Sequence, residues 1–155
     1  MIKYLNYSVT FQEVPDETSL CFNITNCPHC CPGCHSPELQ QDIGTDLEPD
    51  ILGIISRYEQ GITCVCFLGE GNDLDDLLRC IDLIRKDYPK LKICLYTGGN
   101  FESVSPVANK LDYLKTGPYI AERGGLNNPS TNQRMYFIHD GSADDITSKF
   151  WRKKV

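Results

Sequence analysis

Residues 62–68, ITCVCFL, form an uninterrupted apolar run that is short and partly β-branched. That pattern reads as a strand covered on both faces, as strands of parallel sheets are. The run leads into residues 72–88, where Leu74, Leu77, Leu78, Ile81 and Ile84 recur with the 3.6-residue period of an amphipathic helix. Asn72 or Asp73 suits its cap, the acids that follow suit its positive end, and Pro89 stops it. Residues 90–98, KLKICLYTG, then read as another strand, closed by Gly98 and Gly99. Strand, helix, strand in that order implies a right-handed crossover between parallel neighbours. The rest of the chain extends the alternation. Residues 19–25, SLCFNIT, read as a strand, and 49–60, PDILGIISRYEQ, as a helix with Pro49 in its first turn and Ile51, Ile54, Ile55 and Tyr58 on one face. Residues 102–111 read as a short helix broken near Pro106, 112–117 and 133–138 as strands, and the stretch from Asp144 onward as helical. The expectation is an α/β fold, a mostly parallel sheet with helices outside, in a single domain spanning 1–155. Sites in such sheets form at the C-terminal ends of the strands. Three loops are placed there: one packed with cysteines after the first strand, 69–72 after the second and 97–100 after the third.

Composition narrows the function classes. The net charge is −6, and the one small basic cluster is Arg152, Lys153 and Lys154, so a phosphate-tracking nucleic-acid surface is not expected. No apolar run approaches the roughly 20 residues of a membrane span, and the first residues carry no signal-peptide pattern, so a soluble cytoplasmic protein is expected. There is no P-loop, dinucleotide fingerprint or G-x-S-x-G elbow.

The chain has nine cysteines, an odd number in a protein expected in a reducing compartment. Cys21, Cys64, Cys66, Cys80 and Cys94 fall in strands or a helix and read as small buried hydrophobes. The other four crowd into residues 26–36, NCPHCCPGCHS. Three chemistries are open to that loop. Zinc would take four ligands from Cys27, Cys30, Cys31, Cys34 and His35, but two C-x2-C knuckles abut here with no spacer, which opposes tetrahedral closure. A redox dithiol needs only one C-x2-C pair, such as Cys31 and Cys34, and leaves the others unexplained. An iron–sulfur cluster on a C-x3-C-x2-C set, Cys27, Cys31 and Cys34, leaves one iron open to a substrate or cofactor, with Pro28, Pro32 and Gly33 bending the loop around it.

C-x3-C-x2-C after a first strand in a β/α chain resembles the radical S-adenosylmethionine (radical SAM) enzymes. Within them, NCPHCCPGCHSPEL resembles the small activating proteins of anaerobic ribonucleoside-triphosphate reductase, and so does DYLKTGPYI…STNQRMY over 112–136. The resemblance implies a partial (β/α) barrel and a [4Fe-4S] cluster on Cys27, Cys31 and Cys34, with Cys30 not a ligand. It implies S-adenosylmethionine bound by its amino and carboxylate groups at the open iron and cleaved by one electron to methionine and a 5′-deoxyadenosyl radical. That radical would abstract hydrogen from a glycine of the reductase, the expected protein partner, with a flavodoxin or ferredoxin as electron donor.

Many members of the resembled family carry G-G-E or G-G-D after the second strand, where the backbone holds the methionine amino group; here the segment is LGEGN, with one glycine missing or displaced. Gly33, Cys34, His35, Gly69, Glu70, Thr97 and Gly98 are the expected cofactor contacts. Asn132, Gln133 and Arg134 are candidates for the site's rim or for meeting the partner, and Arg123 with Gly124 and Gly125 for a flexible rim. His29 and His139 read as surface or packing histidines.

Overall fold

The computed structural model describes residues 1–29 and 37–151. Its centre is built as the local patterns predict. Strand β2 (Ser19–Ile24), β4 (Cys64–Leu68), β5 (Lys92–Tyr96) and β6 (Tyr113–Thr116) lie side by side and parallel. Helix α1 (Ile51–Tyr58) precedes β4, and α2 (Leu74–Asp87) joins β4 to β5. A short 3-10 turn (Glu102–Val104) running into α3 (Ser105–Ala108) joins β5 to β6. Asp73 caps α2 by accepting the Asp76 N–H at 3.1 Å, and the Tyr88 N–H closes its last turn on the Ile84 carbonyl.

The mostly parallel, helix-surrounded partial barrel is not what forms. Among the described residues the strands make one eight-stranded mixed sheet in the order β3 (Thr45–Asp46), β1 (Lys3–Thr10), β2, β4, β5, β6, β7 (Arg134–His139) and β8 (Ser142–Asp145). Three of its pairings are parallel and four are antiparallel. The reason lies in the connections, since a parallel neighbour needs a crossover and only the central strands have one. Strand β1 (Lys3–Thr10) turns back onto β2, and the two-residue β3 (Thr45–Asp46) pairs with the start of β1. At the far edge, β7 (Arg134–His139) returns antiparallel to β6. The helix expected from Asp144 is also corrected: Ser142–Asp145 is strand β8, hairpinned to β7, and among the described residues that follow Thr147–Trp151 coils as a 3-10 helix. The turn between His139 and Ser142 is Asp140-Gly141, with φ of +47° and +76°. Two positive φ values in a two-residue loop match the right-handed twist of a hairpin, and Asp-Gly is a preferred sequence for it.

Two cores flank the sheet. On one face Leu20, Phe22, Val65, Phe67, Ile93 and Leu95 pack with Ile51, Ile55, Leu77, Ile81 and Ile84 of α1 and α2. Phe22 and Phe67 stack with ring centroids 6.2 Å apart. The other face carries Cys21, Cys64, Cys66, Cys94, Tyr113 and Met135, packed with Val14 and Leu126 from the connecting segments. The register aligns Cys21, Cys66, Cys94 and Tyr113 in one row, and Asn23, Leu68, Tyr96 and Lys115 in the row above it. No helix among the described residues is long and apolar enough to cross a membrane.

The N-terminus is tied to α2 by a fully buried carboxylate. Asp76 accepts the Ile2 N–H at 2.7 Å and the Arg79 guanidinium at 2.9 Å. Removing it strands a buried donor, so Asp76→Ala is expected to destabilise the fold by about 2 kcal/mol, and Asp76→Asn, which keeps an acceptor, by less. Urea denaturation of the two variants checks this.

Candidate functional site

The parallel register brings the C-terminal ends of β2, β4, β5 and β6 to one edge of the sheet, and a cavity of about 410 Å³ opens there. That volume is within the range of small-molecule and cofactor sites, roughly 300–1,000 Å³. Its wall is assembled loop by loop.

The loop after β2 is closed at its base by backbone hydrogen bonds. The Asn26 N–H donates to the Gln41 carbonyl at 3.2 Å and the Cys27 N–H to the Leu39 carbonyl at 2.9 Å. Asn26 turns the chain with φ of +58°, a left-handed conformation that asparagine tolerates. Cys27 is thereby held on the cavity wall, half-buried, with its Sγ 3.6 Å from the His29 carbonyl.

The loop after β4 supplies Gly69 and Glu70. The Glu70 side chain is only 6% exposed, and its Oε1 lies 2.5 Å from His29 Nε2 and 2.6 Å from Thr97 Oγ1, whose hydroxyl donates to it. Thr97, at the end of β5, is itself buried and accepts the Gly99 N–H at 3.0 Å. Gly98 is required by close approach: a Cβ there would stand 2.7 Å from Cγ of the His29 ring.

The floor comes from the strands. Tyr96 is partly buried; desolvation pushes its phenol well above the ordinary range, and it donates its hydroxyl to the Glu13 carbonyl. Lys115 sits over the Tyr96 ring, 5.4 Å from its centroid, and donates to the Gly117 carbonyl at 3.2 Å. Gln133 Nε2 reaches the same carbonyl at 3.4 Å. Below this layer, burial raises the pKa of Cys64, Cys66 and Cys94, and raises that of Cys80, on α2, to about 12. Hydrogen bonding to Cys66, together with burial, raises Cys21. These five are protonated thiols and behave as apolar filling.

Of the expected site residues, Cys27, Gly69, Glu70, Thr97 and Gly98 all line this one cavity. Cys30, Cys31, Gly33, Cys34 and His35 lie outside the described residues, as do Arg152, Lys153 and Lys154. Gln133 is on the wall, whereas Arg134 pairs with Asp145 at 3.6 Å and Asn132 donates to the Pro118 carbonyl. Arg123 donates to the Ser130 carbonyl. His139 is half-exposed and bonded to Asp144, a surface histidine as read. His29 packs against Gly98 on the cavity wall, where it meets a buried carboxylate. Tyr96, Lys115 and Glu13 are further wall residues that sequence reading missed. A lysine in an otherwise apolar strand was the available signal for Lys115.

Among the described residues no group of three or more donors is placed to hold a metal, as expected when two of the three C-x3-C-x2-C positions fall outside them. The donor set nevertheless fits an iron–sulfur cluster. Its first thiol stands at a cavity wall beside glycine backbone, and the sheet thiols are sequestered below.

Comparison with known families decides the cofactor class. Residues 18–136 match the family described as the 4Fe-4S single cluster domain. The chain belongs to this family. No curated protein and no solved structure matches it. The 4Fe-4S single cluster domain match takes in the cysteine loop and all four strands whose ends form the cavity. The protein is therefore an iron–sulfur protein with a 4Fe-4S cofactor.

Two outcomes follow. Gly98→Ala is expected to push the His29 ring off Glu70 while leaving the sheet intact, seen as a displaced His29 ring resonance with unchanged far-ultraviolet dichroism. In the folded, metal-free chain, Cys21, Cys64, Cys66, Cys80 and Cys94 are expected to resist a thiol-alkylating reagent at mildly alkaline pH and to react once the chain is denatured, as mass spectrometry of the labelled peptides can show.

Proposed function

We propose that this 4Fe-4S protein is a radical SAM activase that reductively cleaves S-adenosylmethionine and generates a glycyl radical on an anaerobic ribonucleoside-triphosphate reductase. The observation that carries the reading is the position of Cys27. The first cysteine of a C-x3-C-x2-C set stands on the wall of a cavity of about 410 Å³, together with Gly69, Glu70, Thr97 and Gly98. The cluster would be held by Cys27, Cys31 and Cys34, with Cys30 left out. When bound, it supplies one electron and an iron that lacks a protein ligand.

The chain's own residues do the rest. The loop of Gly69 and Glu70 and the loop of Thr97 and Gly98 lie beside Cys27, where the methionine part of S-adenosylmethionine would sit, with Gly33, Cys34 and His35 as further contacts. Lys115, a buried cation on the wall, suits an anionic group of the ligand. Ile24, Leu68 and Tyr96 give that wall apolar surface, which limits water around a reactive species. Tyr119 and Gln133 also line the cavity, and the reductase's glycine would enter from that side. The overall reaction takes one electron from a flavodoxin or ferredoxin and breaks the S–C5′ bond. It yields methionine, 5′-deoxyadenosine and a glycine radical that has lost one hydrogen atom. A cytoplasmic setting suits both the partner and the free thiols.

Anaerobic reconstitution followed by dithionite reduction tests this. With S-adenosylmethionine the wild-type chain is expected to release methionine and 5′-deoxyadenosine, detected by chromatography. Cys27→Ala, Cys31→Ala and Cys34→Ala should abolish release, and Cys30→Ala should retain it. Adding the reductase should give a glycyl-radical doublet. A chain that holds four irons and leaves S-adenosylmethionine intact contradicts the reading.

A further inference from the structure

One oxygen of Glu70 is shared by two neighbours from two different loops. We propose that His29, Glu70 and Thr97 form a hydrogen-bonded clasp that fixes the Cys27 end of the cluster loop, making His29 and Glu70 positioning residues for the cluster. The proposal rests on Cys27 being a cluster ligand.

Three loops meet in the clasp. His29 belongs to the cysteine loop, Glu70 to the loop after β4 and Thr97 to the end of β5. Glu70 Oε1 is 2.5 Å from His29 Nε2 and 2.6 Å from Thr97 Oγ1. A carboxylate that is 6% exposed is costly to bury unless donors surround it, so these partners hold Glu70 and are held by it. The His29 ring lies in the gap left by the missing side chain of Gly98. The Thr97 hydroxyl is oriented in turn by the Gly99 N–H at 3.0 Å.

His29 is two residues beyond Cys27, and its carbonyl is within 3.6 Å of the Cys27 sulfur. With the backbone bonds of Asn26 and Cys27 to Gln41 and Leu39 on one side, and the clasped ring on the other, the segment 26–29 is pinned at both ends. Groups that orient a metal ligand in this way govern how long the metal stays. The histidine's place in C-P-H-C thus has a role separate from ligation: it anchors the loop to the sheet edge.

The test uses the reconstituted 155-residue chain and follows iron release to a strong chelator, alongside thermal unfolding of the metal-free chain. His29→Ala and Glu70→Ala are each expected to release iron about tenfold faster than wild type, and the double variant no faster than either single, since both remove one device. Glu70→Gln keeps a carbonyl oxygen for both donors and should restore most of the retention lost in Glu70→Ala. The midpoint potential of the cluster should shift in the two alanine variants. Iron release at the wild-type rate in His29→Ala and Glu70→Ala overturns the clasp, and so does additivity in the double variant. Lower thermal stability with unchanged iron release and potential also overturns it, reducing the contact to ordinary packing. Wild-type iron uptake reports separately on the cluster reading: a wild-type chain that takes up no four-iron cluster removes the ligand assignment, whatever the variants do.

Discussion

Backbone hydrogen bonding between parallel neighbours positions everything else in this protein. Because β2, β4, β5 and β6 run the same way, their last residues arrive at one edge, and the loops that follow are forced together. Cys27, Glu70, Thr97 and Lys115 are far apart in sequence and share a cavity wall for that reason alone. The antiparallel additions at either side, β1 with β3 and β7 with β8, widen the sheet without adding chain ends to that edge in the same sense.

The two faces of the sheet are used differently. The helix-covered face is filled with branched and aromatic side chains, and the opposite face with a row of thiols under Tyr96 and Leu68. A row of small side chains lets the connecting segments lie close to the sheet. Burial keeps those thiols protonated, so they do not compete with the loop cysteines for soft metals. Among the described cysteines, the fold buries Cys21, Cys64, Cys66, Cys80 and Cys94 and leaves Cys27 half-buried at the cavity wall.

Much of the centre was legible in the sequence. The apolar run at 62–68 and the periodic stretch at 72–88 are strong local patterns, and both settle within a few residues of where they were placed, at Cys64–Leu68 and Leu74–Asp87. The buried cysteines followed from the same patterns. The flanks were not legible. Strand β1 is half-exposed and carries a register irregularity between Tyr4 and Asn6, which breaks the alternation that would mark it. Strand β8 is exposed along its length and acidic, so only the Asp-Gly turn announced it, and that turn was overlooked in favour of a helix. Missing those edges turned a mixed sheet into an expected parallel barrel. The partners of His29 were not legible, because they are a space beside Gly98 and a carboxylate 41 residues away, neither of which leaves a local trace.

We propose that Cys27, Cys31 and Cys34 would hold the four-iron cluster and leave one iron open to S-adenosylmethionine. Electron paramagnetic resonance of the reduced, reconstituted chain, recorded with and without S-adenosylmethionine, tests it most directly. A four-iron signal whose g-values shift when the compound is added is expected, because one iron would gain new ligands. A four-iron signal unchanged by saturating S-adenosylmethionine would contradict it.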